Sequence, residues 1–479
     1  MKRILLFTIV MATLGLPRTA LAQSWAKIAC GGEFSIGIKA DGSLWGWGLN
    51  TNGQIGIGGT VSQPLPTRIG TDKDWKDIAA GGMHVLALKK NGTLWAWGNG
   101  AFGEVGDGGT SSTNDAPEQI GTDSDWVNIS AGYASSFAIK KSGKLYCWGF
   151  NYYGNLGDSD NSNLYEPHLL NTKATFKQVA AGSLHGMALA TNGSIWAWGY
   201  GGEGELGQGV GKSTESPIQV GTDTDWIWIT CGMQHSMALK KDSTLWSWGA
   251  NTFGQAGQGA NNNALAPTQV GTARDWKYVT AGSFFSFGLK YDGTLWAWGD
   301  NRYGEIGKDS IKNIYVPTKV DSSTEWIGIS GSTGTLHTQT LPATFYGYSA
   351  IGLKSNYNGY CASGVNTNYQ LGSGDTTEDL TFDCTLGIKT GIKDVAYITP
   401  GIKIYPNPVA ENLIVDAPQN AGVLTFRLYD LYGRQLLNQE IVGGQADISV
   451  GELPAGTYIA RTTSPAGGIV NIQKIMVNR

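Results

Sequence analysis

The stretch Asp275–Gly307, DWKYVTAGSFFSFGLKYDGTLWAWGDNRYGEIG, decides how the chain is built. It opens on Trp276 and a short apolar run ending in Ala281-Gly282. A second run, Phe285–Lys290, leads into an Asp292-Gly293 turn. A third, Thr294–Gly299, is followed by a polar loop of the form N-x-aromatic-G. Short runs rich in aromatic and aliphatic residues, punctuated by Gly and Asp, read as strands.

The same unit recurs through most of the chain. The second Trp of each W-x-W-G, or its equivalent, falls at Trp47, Trp97, Trp148, Trp198, Trp248 and Trp298, in steps of 50, 51, 50, 50 and 50. The unit start recurs as Trp25, Trp75, Trp126, Phe176, Trp226, Trp276 and Trp326, which makes seven copies. A fixed period of this size in short strands marks a repeat architecture. Asp41-Gly42, Asn91-Gly92, Ser142-Gly143, Asn192-Gly193 and Asp292-Gly293 occupy one repeat position and predict tight type I′ hairpins; Asp242-Ser243 departs from the pattern. Antiparallel hairpins at this period read as the blades of a β-propeller. The seventh copy is degenerate: SGSTGTLHTQTL stands for its first strands and Tyr360–Gly372 for its last, with extra residues between.

All eighteen Trp lie between Trp25 and Trp326 and read as apolar plates filling the space between adjacent sheets. A strand of the form P-x-x-V precedes later starts, at Pro217–Val220, Pro267–Val270 and Pro317–Val320. By spacing, Leu380–Thr385 supplies the strand missing before Trp25 and is expected to close the ring by pairing last with first. The D-x-D loops, such as Ile69–Trp75, lack the further carboxylates of a calcium loop. They read as turns whose side chains cap backbone N–H groups.

Met1–Ala22 reads as a secretory signal peptide. Lys2 and Arg3 precede an apolar stretch, and the cleavage site falls between Ala22 and Gln23. Net charge is −4 with no basic run, which disfavours nucleic acid, and no transmembrane segment is expected in the mature chain, read as a monomer. Cys30, Cys147 and Cys231 stand where other repeats carry Ala. In an exported protein, Cys361 and Cys384 are candidates for a disulfide stapling the seventh blade. His84, His185 and His235 share one repeat position. They are therefore spread around a ring, and read as hydrogen-bonded blade histidines rather than metal ligands. No catalytic, cofactor or metal site is predicted.

Lys389–Gly401 reads as a linker. Beyond it lies a segment without Trp or Cys, with strands expected at Asn412–Asp416, Thr425–Asp430, Gln435–Ile441, Gln445–Ser449, Gly456–Arg461 and Gly468–Val477. The expected organisation is thus all-β: signal peptide 1–22, seven-bladed propeller 23–388, linker 389–401 and a small antiparallel sandwich 402–479.

Cys231–Gly257, CGMQHSMALKKDSTLWSWGANTFGQAG, resembles the repeat of the RCC1 (regulator of chromosome condensation) family of seven-bladed propellers. That family includes nucleotide exchange factors and an inhibitor protein. An export signal is incompatible with a nuclear exchange role. The last segment resembles the type A sorting domain of the type IX secretion system of Bacteroidetes. The resemblance rests on Tyr405-Pro406-Asn407-Pro408, LYDLYGRQL (Leu428–Leu436), LPAGTYIA (Leu453–Ala460) and Lys474–Val477. It implies engagement of that secretion machinery, followed by release or attachment at the outer surface.

The functional expectation is a non-enzymatic binding protein whose partner is an unknown protein or a surface glycan. The loop position five residues after the second Trp carries Asn52, Phe102, Tyr153, Glu203, Phe253, Tyr303 and Asn368. Aromatic residues on a rim are expected anchors of an interface, with Tyr152, Tyr200, Arg302 and Tyr369 beside them. The bland alternative is that each ring packs back on its own blade. A lectin-like glycan binder would use the same rim. An enzyme with a loop-built site ranks third, because no nucleophile elbow, zinc motif or phosphate loop is present.

Overall fold

A computed structural model describes residues 24–333, 347–355, 357, 359–384, 402–418, 423–429, 435–442, 444–463 and 469–478. The signal peptide and its cleavage site, most of SGSTGTLHTQTL, the linker and the Tyr432-Gly433 turn lie outside the described residues. The chain divides into two compact units, residues 1–386 and 387–479.

In the first unit the described residues form seven four-stranded antiparallel sheets, each contiguous in sequence. Blade 1 is representative: β1 (Trp25–Cys30), β2 (Phe34–Lys39), β3 (Leu44–Gly48) and β4 (Gln63–Ile69), paired in that order. The seven first strands line one central cavity of about 490 Å³. The fourth strands, such as Leu164–Leu169, are the exposed outer ones. The core lies between blades. In one cluster Phe34, Ile36 and Ile38 of blade 1 pack on Trp75, Ile78 and Trp97 of blade 2.

The turns differ from expectation. Asp41 keeps a negative φ while Gly42 takes φ +83°, with Gly42 N donating to Lys39 O (2.8 Å) and Lys39 N to Ser43 O (3.0 Å). This is a three-residue loop with its glycine in the left-handed position, not a type I′ turn. Asp41 Oδ1 accepts from Ser43 Oγ (2.6 Å), which in turn accepts from the indole N–H of Trp45 (2.9 Å). The same chain links Asn91, Thr93 and Trp95, and Asp292, Thr294 and Trp296. The first Trp of W-x-W is thereby tied to its own hairpin.

The second Trp is fully buried and reaches the preceding blade. Trp97 donates to Gln54 O (3.0 Å), Trp148 to Glu104 O (3.0 Å) and Trp298 to Gln255 O (2.9 Å). Blade 7 has Ser363 in this place, and its Oγ keeps the bond, donating to Glu305 O (3.1 Å). The missing indole volume is taken by Phe382. Its ring packs 5.1 Å from that of Trp326 and lies over Gly307, as Trp298 lies over Gly257.

Ring closure also departs from expectation. The strand Asp379–Asp383 pairs with Cys361–Gly364 of its own blade, and β1 pairs only with β2. The P-x-x-V strand is the fourth strand of the blade it follows, so no sheet is shared. Closure comes from loop and side-chain contacts between blades 7 and 1. Gly374 N donates to Pro64 O (2.9 Å), just as Gly58 N donates to Asp115 O and Gly259 N to Tyr315 O at other junctions. Cys30 N donates to Ser330 Oγ (3.1 Å), and Trp47 stacks on Tyr360 at 5.1 Å. A disulfide joins Cys361 to Cys384 within blade 7. Cys30, Cys147 and Cys231 are free and buried.

The D-x-D side chains do not cap turns; they hold a lysine. Lys240 Nζ lies 2.6 Å from Asp223 and 3.3 Å from Asp225, and 4.7 Å from the ring centroids of both Trp226 and Trp246. Lys89 and Lys140 repeat the arrangement. Blade 4 lacks both halves at once: Ala190 replaces the lysine and Asn171–Phe176 replaces the acidic loop. Blade 1 keeps Lys39 over Trp25 and Trp45 without an acidic loop before it, so the aromatic half of the seat also stands without the carboxylates.

The second unit contains a three-stranded sheet (Lys403–Tyr405, Asn412–Ala417, Gly444–Ser449) and a four-stranded one (Val423–Tyr429, Gln435–Val442, Gly456–Thr463, Ile469–Val477). Leu413, Val415, Phe426, Leu428, Ile448 and Ile475 are among its buried core residues. The Tyr405–Pro406 and Asn407–Pro408 peptides are cis. Two motifs distant in sequence meet here: Met476 N donates to Asn407 Oδ1 (2.8 Å) and Val409 N to Met476 O (2.8 Å).

Candidate binding rim

Each third strand ends at a glycine of φ near +100° (Gly48, Gly98, Gly149) and opens into a rim loop. A buried Asn pins five of the loops from within. Asn151 Oδ1 accepts from Leu156 N (2.9 Å) while its Nδ2 donates to Asp160 O (2.8 Å); Asn50, Asn251, Asn301 and Asn366 do the same. Gly100 and Gly201 stand there in blades 2 and 4. The backbone N of the rim residue is fixed by a side chain two positions on. Phe102 N donates to Glu104 Oε2 (2.8 Å), Phe253 N to Gln255 Oε1 (2.9 Å) and Tyr303 N to Glu305 Oε2 (2.9 Å). The rim side chains therefore stand on rigid supports.

Glu and Gln share that supporting position, with Asn155 in blade 3 accepting from Tyr153 N (3.4 Å), and the glutamates behave as amide equivalents. Burial pushes the carboxyls of Glu104 and Glu205 up to about 7 and that of Glu305 up to about 8. Glu205 Oε1 and Glu305 Oε1 are buried without a partner, as are Gln54 Nε2 and Gln370 Nε2. The three histidines also serve junctions. His84, His185 and His235 Nε2 lie 2.9, 3.0 and 2.9 Å from Ser136, Ser236 and Ser286 Oγ of the next blade. Ser136 donates its own proton to Glu104 O, so the His84 Nε2–H is the donor. Burial pushes these imidazoles down to about 3, 4 and 3.

The rim aromatics pack across the junction onto the next blade, and Tyr153 packs on its own blade as well. Phe102 meets Phe150 at 5.2 Å, Tyr153 meets Tyr200 at 6.0 Å, Phe253 meets Phe284 at 5.2 Å and Tyr303 stacks on Tyr348 at 4.5 Å. Non-aromatic rim residues make polar versions of the contact, such as Asn368 Nδ2 to Glu33 Oε2 (2.9 Å). Phe150 also meets Tyr152 and Tyr153, 6.5 Å from each, and these two meet at 5.0 Å. Blades 2, 3 and 4 thus carry a continuous row: Phe102, Phe150, Tyr152, Tyr153, Tyr200. Tyr152 is its most open member, 67% exposed, against 39% for Phe102. Arg302 instead lies over Phe253, 4.5 Å from its centroid, and pairs with Asp300 (2.7 Å). Tyr369 stands apart from the row in blade 7, at φ +63°, where the other loops have glycine. Phe150, Phe284 and Tyr348 were missed because the sequence reading followed one repeat position, whereas each contact joins two positions on different blades.

The central cavity is lined by polar groups engaged with neighbouring blades. Lys27 pairs with Asp77 (2.6 Å), Asn128 accepts from Val179 N (2.9 Å) and Trp228 donates to Val279 O (2.8 Å). Among the described residues no three His, Cys, Asp or Glu side chains are grouped to hold a metal ion.

Comparison with known proteins agrees with this geometry. The profile of the RCC1-like domain matches residues 12–276, and RCC1 repeat profiles match 276–305 and 292–336. The secretion system C-terminal sorting domain matches residues 403–478. Curated relatives include the ultraviolet-B receptor UVR8 of Arabidopsis thaliana, 31% identical over 147 residues, and RCC1 domain-containing protein 1 of Mus musculus, 25% over 142. Each alignment covers 30% of this chain, and about a third of the relative (33% and 34%). Among solved structures, yeast RCC1 (Prp20) bound to Kap60 superposes with a TM-score of 0.61 at 21% identity, covering 84% of this chain and 93% of that one. Human WBSCR16 superposes with a TM-score of 0.59 at 20% identity, covering 65% and 85%. These likenesses establish the fold. The sorting domain marks the protein for type IX export, to the cell surface or beyond it, through the secretion machinery that this domain engages. The chain belongs to the RCC1-like domain family, with a type IX sorting domain at its C-terminal end.

Proposed function

We propose that this exported propeller is a non-enzymatic binding protein that recognises another protein with its rim. The observation that supports this is the set of partly exposed aromatics whose backbones are fixed by buried Glu, Gln and Asn side chains. Rigid aromatic anchors lose little entropy on docking and dominate interface energetics. The engagement of the cavity's polar groups with neighbouring blades favours the rim over the channel.

The test is capture of surface proteins and glycans by the mature chain, beside a variant with Phe102, Tyr153, Phe253 and Tyr303 all changed to Ala. Specific protein capture by the parent is expected, weakened at least about a hundredfold in a variant that still melts cooperatively. Equal capture by a folded variant would move the site off the rim. Capture of glycans alone would replace the protein-binding reading with a lectin.

A further inference from the structure

The rim is not electrostatically uniform. Beyond the buried Glu104 and Glu205, the loops of blades 2, 3 and 4 (residues 99–118, 150–167 and 200–217) carry Asp107, Asp115, Glu118, Asp158, Asp160, Glu166, Glu203 and Glu215 against a single cation, Lys212. Among the described residues none of these eight carboxylates forms an ion pair within 4 Å. The matching loop of blade 5 (250–267) has no charge, and that of blade 6 (300–317) has three cations balanced by Asp300, Glu305 and Asp309. The acidic arc coincides with the continuous aromatic row. Glu215 packs on Gly154, the residue after Tyr153, where an added Cβ would lie 2.8 Å from its Cγ. Burial first, then the charges of Glu205 and Glu203, push the Tyr200 hydroxyl up, which places acid beside the end of the row.

Blade 6 shows what such a surface accepts. Arg302 lies over the ring of Phe253 and is held by the Asp300 carboxylate. Phe253 is the blade-5 equivalent of Phe102 and Tyr153. The residues that correspond to Arg302 beside those two rings are Tyr152 and Gly202, neither of them a cation. Between blades 2, 3 and 4 no cation among the described residues lies over the corresponding rings; Asp300 is matched there by Phe150 and Tyr200, so the acid of this arc comes from other loop positions, with Glu203 and Glu215 accepting from the side-chain amides of Asn263 and Asn161.

We propose that the arc of blades 2, 3 and 4 docks a basic, arginine-bearing segment of a partner protein. Guanidinium groups stack on Tyr152, Tyr153 and Phe102 and pair with Glu203, Glu215 and their neighbours. Arginine is favoured over lysine because its planar group meets a ring face and a carboxylate together. This rests on the protein-binding reading and names the chemistry of its partner.

The test uses the mature chain and fluorescein-labelled peptides of alternating Gly with Arg, Lys or Glu, read by anisotropy. The Arg peptide should bind saturably, roughly fivefold or more tighter than the Lys peptide, and weaken steeply between low and high salt. The Glu peptide should not bind. Tyr152→Ala with Tyr153→Ala should weaken Arg-peptide binding roughly tenfold. Glu203→Gln with Glu215→Gln should weaken it and flatten the salt dependence. These carboxylates are at the surface, so the second pair tests the site without touching the core. Leu65→Ala, at an exposed position on the outer strand of blade 1, should leave binding unchanged.

Arg-peptide binding no tighter than that of the Glu peptide, or unaltered in both arc variants, overturns the proposal. If that occurs while the fourfold rim variant still loses a defined protein partner, the rim reading stands and only the arginine assignment falls. If a glycan binds the arc and is lost with Tyr152→Ala, both fall.

Discussion

His235 and Ser286 illustrate how a repeat protein records its own contacts. Wherever a blade carries His at this position, the next blade carries Ser one place further on: His84 with Ser136, His185 with Ser236, His235 with Ser286. Where the first residue is Phe, at Phe34 and Phe285, the second is Val85 or Ala350. At these five junctions the pair is either a buried hydrogen bond or an apolar contact, because a lone buried donor costs about 1–3 kcal/mol, while the other two junctions carry Ser135 with Gly186 and Ser349 with Ser35. A double-mutant cycle between His235→Phe and Ser286→Ala should therefore show coupling of about 1 kcal/mol in urea denaturation, with the double variant more stable than additivity predicts. Additive losses would mean that the hydrogen bond carries no net stability.

At the scale of the element, the lysine seat at the end of the second strand in six of the seven blades was not anticipated. The D-x-D loops stood out in sequence, but their partner lies elsewhere in the blade, at Lys89, Lys140 or Lys240. A turn-forming role satisfied the local pattern equally well. Lys240→Met keeps the aliphatic stem and removes the ammonium. It should destabilise the protein by about 1–2 kcal/mol at low salt and by less at high salt, in chemical denaturation. No change would show that desolvation of the ammonium cancels its gains. The period, the blade count and all six strands of the C-terminal unit beyond residue 410 were legible, because each follows from local apolar patterning and turn residues. Which sheet the P-x-x-V strand joins was not, since spacing is the same whether that strand opens one blade or ends another. Only backbone pairing between Cys361–Gly364 and Asp379–Asp383 settles it. The rim was legible as positions but not as contacts, since the Phe102–Phe150 neighbourhood spans two repeats.

Across the whole propeller, buried acids and buried bases oppose each other as pH changes. Burial, opposed by a hydrogen bond from Asn368, holds Glu33 up to about 7, alongside Glu104, Glu205 and Glu305. Their contribution is full below the ordinary carboxyl value of 4.5 and is lost as pH rises through 7 to 8. The buried histidines, pushed down, contribute fully above 6.5 and lose that contribution as pH falls toward 3 to 4. Stability should thus be broadest between these ordinary values and decline on either side. Glu305→Gln copies Gln54, Gln255 and Gln370 at the same position. It should raise stability by about 2 kcal/mol at pH 8 and leave it nearly unchanged at pH 5, read from thermal melts at both. Equal effects at the two pH values would show that the carboxyl is not held protonated.

Because no sheet borrows a strand from a neighbour, the unit of inheritance and the unit of structure are the same length of chain. Duplicating or deleting one fifty-residue stretch adds or removes a whole blade, with its hairpins, lysine seat and forward-reaching loop intact. A ring sealed by a shared strand would instead be left with two half-finished sheets at each such event. Here the ring can change membership in whole numbers, and the surface on its rim can be re-edited one blade at a time.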